Sequence, residues 1–338
     1  MTQFSRIRLL AVAVLCFVVA GVAAGLAFAR GNAARIGSGV VVIDTNLGYE
    51  DGAAAGTGMV LSSSGEILTN NHVIKGATTI KVVVPGTGHT YTAKVVGYSV
   101  SNDVAVLQAQ NASNLKTLSL GDSSTLRVGQ SVTALGNAGG TGRLLSAAGR
   151  ITGLGKAITA SDEGSSAERL TGLIETNAGI QPGDSGGPLL SSSGRAIGMD
   201  TAASSNSPFA SATATDAYAI PINRALTLAR QIESGTSTST VHIGGTAFLG
   251  IQVDAGSGDA PASGALIAAV VPNGPAATAG LVAGDTITAI NGRTVASPTA
   301  ITSILLTKTP GTKVIVTYLD QFGSSATATV TLGSGPAQ

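Results

Sequence analysis

The sequence predicts two packed β-barrels followed by a small α+β domain, and three observations carry that reading. Short β-branched and aliphatic runs, each closed by Gly, Pro, Asn or Ser, recur in two successive groups between residues 40 and 220. With 46 glycines, 11% charged residues, 3% aromatics and no tryptophan, the chain suits short strands and tight turns rather than long helices. Its 338 residues exceed one average domain and suffice for two, each with its own core.

The N-terminus reads as a targeting segment. Arg6 and Arg8 precede an apolar run over 9–29 that ends in Ala27-Phe28-Ala29 before Arg30, which fits a small-x-small cleavage site. Residues 1–34 are therefore read as a signal peptide, cut after Ala29. The run is also long enough to cross a bilayer, so an N-terminal membrane anchor is the alternative. Either way the bulk of the protein is placed outside the cytoplasm, secreted or in the cell envelope. The one cysteine, Cys16, lies in this run, and Leu15 before it is too large for a typical lipoprotein site. The exported part then has no disulfide and is held by packing alone.

Strands follow at 40–43, 56–61 and 66–68, the last two joined by the turn Ser62-Ser63-Ser64-Gly65, and at 80–84, 91–96 and 104–107. The second group occupies 131–135, 147–151, 173–176, 188–190, 196–199 and 217–220. Asn223 is placed to cap a helix whose Ala225, Leu226, Leu228, Ala229 and Ile232 share one apolar face. Ser234-Gly235-Thr236-Ser237-Thr238-Ser239-Thr240 is small and polar with no core pattern, a flexible linker. Beyond it, strands near 249–253, 265–271, 286–290, 313–318 and 326–332 surround two short helices. Pro298 after Ser297 starts the second helix, and Ile301, Ile304 and Leu305 give it an apolar face.

The chemistry is concentrated in Gln181-Pro182-Gly183-Asp184-Ser185-Gly186-Gly187-Pro188-Leu189. Ser185 is the candidate nucleophile. The turn at Gly183 lets the N–H groups of Gly183 and Ser185 converge, so the backbone of Gly183, Asp184 and Ser185 is the candidate oxyanion hole. Gly186 and Gly187 leave room for a substrate and allow backbone angles closed to other residues. A serine hydroxyl needs a base, and the base needs a carboxylate to set its tautomer. Of three histidines, His72 follows a strand and precedes an apolar turn, whereas His89 and His242 read as surface residues. Asp103 sits at the entrance to an apolar strand, where a charge needs a partner that His72 supplies. Asp122 in Gly121-Asp122-Ser123-Ser124 reads instead as a turn residue.

Thr69-Asn70-Asn71-His72-Val73-Ile74, Asn102-Asp103-Val104-Ala105-Val106-Leu107 and residues 183–189 resemble the chymotrypsin-fold, trypsin-like serine proteases, in the order His, Asp, Ser. With Gly56-Thr57-Gly58 and Ala134-Leu135-Gly136-Asn137, the chain is similar to secreted actinobacterial members of the HtrA (Deg) branch, from about Val40 onward. The resemblance implies an all-β double six-stranded barrel over 37–233 with the active site between the barrels, a linker over 234–245 and a PDZ domain over 246–334. Phe248-Leu249-Gly250-Ile251 resembles a PDZ carboxylate-binding loop, and Ile301 and Leu305 stand on the helix that would form the groove's other wall. Residues 273–277, 279–287 and 289–292 are similar to the middle of such domains. By the same resemblance Gly179, Ile180, Met199 and Thr201 line the S1 pocket, where no acid at 179 awaits Arg or Lys. Small or medium aliphatic P1 residues are expected, with Asp200 the one acid that could face the pocket.

Four departures matter. Asp184 stands where the branch often has Asn, and no Ile-Val-Gly-Gly-type start is present to pair with it, so Asp184 is expected to take another donor without an activation peptide. The Gly-rich loop over 137–142 lacks the usual Pro-Phe, and Asn177 replaces a common Asp, which suggests a site that substrate or the PDZ domain orders. A homo-oligomer is compatible with the branch, but Tyr49 alone supplies an aromatic between 40 and 56, which argues against the family's trimer.

These features describe an exported serine endopeptidase acting on unfolded proteins and peptides, with peptide C-termini bound by the PDZ groove. Its activity is expected to fall below about pH 6 to 7, where imidazole is protonated. A peptide-binding chaperone or scaffold is the rival, and an esterase is disfavoured because the Ser lacks a strand-to-helix setting. No cofactor is implied, no His-Glu-x-x-His suggests a metal, and a net charge of +1 without basic runs argues against nucleic acid.

Overall fold

The computed structural model describes residues 37–49, 52–160, 168–203, 217–254 and 264–337. The expected leader, with Cys16 and the site after Ala29, lies outside the described residues.

The first barrel is built from β1 (Val40–Leu47), β2 (Gly52–Val60), β3 (Glu66–Thr69), the one-turn helix α1 (Asn71–Ile74), β4 (Thr79–Val83), β5 (Thr90–Ser99) and β6 (Val104–Ala109). Its strands run in the antiparallel order β5-β4-β1-β2-β3-β6, and a further pairing of β5 with β6 closes the ring. Val41, Ile43, Ile67, Ile80, Val82 and Leu107 fill it.

The second barrel takes β7 (Ser131–Gly136), β8 (Leu145–Ala160), β9 (Glu168–Thr176), β10 (Pro188–Ser191), β11 (Ala196–Ala203) and β12 (Ala217–Pro221), closed in the order β10-β11-β12-β9-β8-β7. Val132, Ile151, Ile174, Leu189 and Ile197 pack inside. The strand expected over 147–151 lies in the N-terminal half of the 16-residue β8. Gly153 and Gly155 look like terminators, but register shifts against β9 between 151 and 158 absorb them without ending the pairing.

A third apolar cluster joins the barrels: Met59, Leu68 and Val106 of the first meet Leu135, Leu190, Met199 and Ile220 of the second. Helix α2 (Ile222–Glu233) adds Ile222, Ala225, Ala229 and Ile232 to it, all at most 1% exposed. Burying each isoleucine is worth about 2–3 kcal/mol, which holds the helix against this inter-barrel cluster. Its N-cap is Pro221, not Asn223 as expected. Asn223 lies inside the first turn, where its Nδ2 donates to Asp122 Oδ1 at 2.7 Å. Asp122 also accepts from Ser124 N at 2.9 Å, and these bonds, the backbone one foremost, hold its carboxyl below the usual range.

The linker expectation over 234–245 meets a correction. Val241 is 2% exposed in the inter-barrel cluster, and β13 (His242–Ile243) pairs with the edge of β5. His242 is accordingly not a surface residue: its ring packs on Tyr98 with centroids 5.0 Å apart, between the carbonyls of Leu306 and Gly245. A two-residue strand has no periodicity to read, so only the open edge of β5 reveals it.

The C-terminal domain contains β14 (Thr246–Phe248), β15 (Ile251–Val253), β16 (Ala265–Val270), α3 (Pro275–Thr278), β17 (Thr286–Ile290), β18 (Arg293–Thr294), α4 (Pro298–Leu305), β19 (Lys313–Leu319), β20 (Ser325–Thr331) and β21 (Gly333–Gly335). Its main sheet runs β15-β16-β17-β19-β20, with β18 on β17 and β14 paired to β21. Pro298 stands at the start of α4, whose Ile301, Ile304 and Leu305 enter this domain's core. The domain touches the first barrel through Tyr98 Oη and Thr246 Oγ1 at 2.8 Å, stacking of Tyr49 on Phe248 at 5.2 Å, and a bond from Gly76 N to Ala337 O of 2.9 Å.

Candidate active site

His72 is carried by α1, immediately after β3, where the chain turns out of the first barrel. Asp103 ends a short 3-10 turn in the left-handed region, with φ of 51°, just before β6. That backbone turns its carboxylate onto α1: Oδ1 accepts from His72 N at 3.0 Å, and Oδ1 and Oδ2 lie 3.0 and 2.9 Å from His72 Nδ1. Asn70 Nδ2 donates to the Asp103 carbonyl at 2.9 Å, tying the two segments again. Thr201 Oγ1 of β11 donates to Asp103 Oδ2, so the second barrel also grips the carboxylate. The carboxylate, 4% exposed, thus has its acceptor capacity taken up by donors on two barrels.

Ser185 lies in the turn before β10, and its Oγ donates to Thr201 O at 3.2 Å. The turn is shaped by backbone bonds: Asp184 N to Gln181 O at 2.9 Å, Gly187 N to Asp184 O at 2.8 Å, and Gly186 N to Asp200 O at 2.8 Å. Because the Asp184 N–H is spent on Gln181, Asp184 drops out of the expected oxyanion donors; Gly183 and Ser185 remain. Gly183 has φ of 98°, and a Cβ there would stand 2.2 Å from Asn137 O. Residues 137–142, expected to await ordering, are tied to this turn by Gly139 N donating to Pro182 O at 2.8 Å, and Gly142 N donates back to Asn137 Oδ1 within the loop at 2.7 Å.

Asp184 takes the donor the sequence could not name: Gln181 N donates to its Oδ2 at 2.9 Å. Burial raises its pKa, and the Gln181 bond partly offsets this. Asp200 is more extreme. It is 0% exposed, neither carboxyl oxygen has a hydrogen-bond partner among the described residues, and burial foremost, then the nearby Asp184, pushes its pKa well above the usual 3.8. Opposite Asp200 in the ladder stands Ala219, whose side chain belongs to the second barrel's core, so Asp200 shares that interior face. A raised folded pKa means the native state holds a proton that the unfolded chain releases above 3.8, so stability declines as pH rises from there toward the folded value. Asp200→Asn removes that decline. Its stability advantage over the parent should grow with pH by up to about 1.4 kcal/mol per unit, as measured by urea unfolding between pH 5 and 8. An advantage independent of pH would count against this assignment.

The S1 expectation is corrected in part. Met199 is 0% exposed in the inter-barrel cluster, Ile180 belongs to the second barrel's core, and the Thr201 hydroxyl is committed to Asp103. Only Gly179 of the four is exposed. Strand alternation in β11 is broken by the bulge between Asp200 and Ala202, which is why side-chain direction there could not be read from spacing. In the C-terminal domain Leu249, Ile301 and Leu305 are core residues, 1%, 5% and 8% exposed, and Ile251 is partly buried against them. Phe248 turns its ring to Tyr49, while Gly250, with φ of 78°, makes the turn between β14 and β15.

A residue the sequence reading quoted only within the Gly56-Thr57-Gly58 resemblance, with no role of its own, is Thr57 of β2, a fully buried polar side chain at the nucleophile turn. Its setting between Gly56 and Gly58 was the available signal: a Cβ at either would strike Val73 or Ile67 at 2.6 Å, so this stretch must lie against its neighbours.

A family profile described as a trypsin-like peptidase domain matches residues 56–199, and one described as a PDZ domain matches 238–319. The chain is 33% identical to serine protease PepD of Mycobacterium tuberculosis, over 89% of this chain and 65% of that protein. It is 35% identical to periplasmic serine endoprotease DegP of Escherichia coli, over 79% of this chain and 54% of that one. It thus spans about half to two-thirds of the length of these relatives. Among solved structures, HtrA-type protease AlgW with tripeptide superposes with a TM-score of 0.51 at 28% identity, over 91% of this chain and 98% of that one.

Proposed function

The chain belongs to the HtrA family of trypsin-like serine proteases, and on that premise we propose that it is an exported endopeptidase that cleaves unfolded or damaged proteins through an acyl-enzyme on Ser185. The observation that carries the reading is the grip on Asp103, whose carboxylate meets both the backbone N–H and the ring Nδ1 of His72. With its proton held at Nδ1 facing Asp103, the imidazole presents Nε2 as the base.

In the proposed reaction Ser185 Oγ turns from the Thr201 carbonyl, attacks the peptide carbonyl carbon and gives its proton to His72 Nε2. The oxyanion is received by the N–H groups of Gly183 and Ser185. Collapse breaks the C–N bond, and the departing amine takes the proton from Nε2. Water then attacks the acyl-enzyme, passing a proton to Nε2, and Ser185 leaves with that proton. The Asp103 carboxylate facing Nδ1 stabilises the imidazolium.

Small or medium aliphatic P1 residues remain the proposed preference. Gly179 offers no acid, and the interior face shared by Asp200 supports excluding it as a receptor for Arg or Lys. Peptide C-termini are the proposed ligands of the PDZ domain, a reading supported by AlgW having been solved with a tripeptide and a decapeptide. Export is supported by the apolar N-terminal run and by periplasmic relatives such as DegP.

The test uses the full chain: a fluorophosphonate should label Ser185, and cuts in an unfolded protein, mapped by mass spectrometry, should follow Val, Ala or Leu. Cuts dominated by Arg and Lys would overturn the P1 preference. Binding of unfolded protein with no label on Ser185 would replace the protease reading by the holdase one.

A further inference from the structure

We propose that Thr57 is a positioning residue for the oxyanion hole, the point through which the first barrel sets the direction of the Gly183 and Ser185 N–H groups; this rests on the serine-protease reading. Four bonds meet on this one residue. Its Oγ1 donates to Gly183 O at 2.7 Å and accepts from Asn137 N at 2.9 Å. Its own N–H donates to Ser185 O at 2.9 Å, and its carbonyl accepts from Thr69 Oγ1 at 2.7 Å. Thr69 ends β3, three residues before His72. One buried residue therefore ties the strand leading to the base, the loop at Asn137 and the nucleophile turn.

The geometry turns these ties into control of the donors. A trans peptide points its N–H opposite to its C=O, so whatever holds a carbonyl aims the amide of the same plane. The Gly183 N–H shares its plane with Pro182 O, which Gly139 N holds at 2.8 Å. Gly139 belongs to the loop that begins at Asn137, and Thr57 Oγ1 anchors that loop through Asn137 N. The Ser185 N–H shares its plane with Asp184 O, held by Gly187 N at 2.8 Å. Thr57 pins the peptide planes on both sides of that one, through Gly183 O and Ser185 O. A hydroxyl can serve an N–H donor and a carbonyl acceptor at once, which no apolar side chain of the same shape can do. Without it, Asn137 N and Gly183 O lose their partner inside the protein, and the turn relaxes to recover bonds elsewhere.

The experiment compares the full-length parent with Thr57→Val, Thr57→Ser and Thr57→Ala in their phosphonylation by a fluorophosphonate, separating the limiting rate from the half-saturating concentration. Reaction at Ser185 develops an oxyanion in the hole, whereas initial binding does not, so a positioning role moves the rate and not the concentration. Thr57→Val and Thr57→Ala should lower the limiting rate by about ten- to a hundredfold. The half-saturating concentration should change by less than about threefold, and Thr57→Ser should stay within about threefold of the parent in both. Ser and Ala both lack the methyl and differ only in the hydroxyl, so that pair decides the matter if Thr57→Val does not fold. Equal limiting rates for Ser and Ala, or a parent-like rate in Thr57→Val, would overturn the proposal while leaving the protease reading intact. A parent that does not label at Ser185 removes the protease reading and this inference with it.

Discussion

Asp103→Asn should lower kcat by about 10⁴-fold, about 5.5 kcal/mol in barrier, with KM changed only a few-fold. Each contact made by the Asp103 carboxylate in this structure is with a group able to donate: His72 N, His72 Nδ1 and Thr201 Oγ1. An asparagine keeps the shape but replaces one acceptor oxygen by NH₂. The least costly arrangement leaves its oxygen on the His72 N–H or Thr201 hydroxyl and aims the NH₂ at Nδ1. Nδ1 must then accept, which moves the ring proton to Nε2, the position that has to be empty to take the Ser185 proton. Substrate binding does not use Asp103, since only 4% of the residue is exposed, so KM is largely spared. Steady-state kinetics on a peptide chosen from the mapped cut sites checks this, and a kcat within tenfold of the parent would displace Asp103 from its role.

Gly186→Ala should cost about 4 kcal/mol or more and leave little folded protein. Its φ of 84° is already unfavourable for a side chain, and the new Cβ would stand 2.1 Å from Thr57 O and 2.3 Å from Thr69 Oγ1. Thr57 and Thr69 belong to paired strands of the first barrel, so neither can retreat without opening β2 and β3. Gly186 cannot retreat either, because its N–H is bound to Asp200 O of the second barrel at 2.8 Å. Gly194→Ala is the control: with φ of 76° and nothing within 4 Å of the added Cβ, it incurs only the left-handed backbone penalty of about 1–2 kcal/mol. Urea unfolding of the two variants separates steric closure from backbone strain. Similar losses in both would contradict the close approach of the barrels at Gly186.

His72, Asp103 and Ser185 could be named from the chain because each sits in local chemistry that is unusual without the others: a base after a strand, an acid before an apolar strand, a serine among glycines. The strands of both barrels were legible for the same local reason, since short β-branched runs between turn residues need no knowledge of their partners. The helix over 222–233 was visible in its apolar face, yet its cap was misplaced by two residues: Pro221 leads into it, and Asn223 is drawn to Asp122 across the fold. A bond spanning 101 positions leaves no trace in a window of a dozen residues.

By itself, then, the sequence determined the order of elements, the candidate nucleophile turn and the candidate base and acid. Only the tertiary structure decided where side chains without a local signature are spent. Thr201 grips Asp103 instead of lining a pocket, because a bulge in β11 breaks the alternation that would have revealed its direction. Met199 and Ile180 go to apolar cores, Asp200 to an interior face, and His242 to the edge of β5. Thr57 acquires its significance from Gly183 and Asn137, 126 and 80 positions away. The physical reason is common to all of them: propensity and periodicity act over neighbouring residues, whereas a buried hydroxyl, carboxyl or imidazole is placed by whatever partner or apolar face the closing of two barrels brings to it.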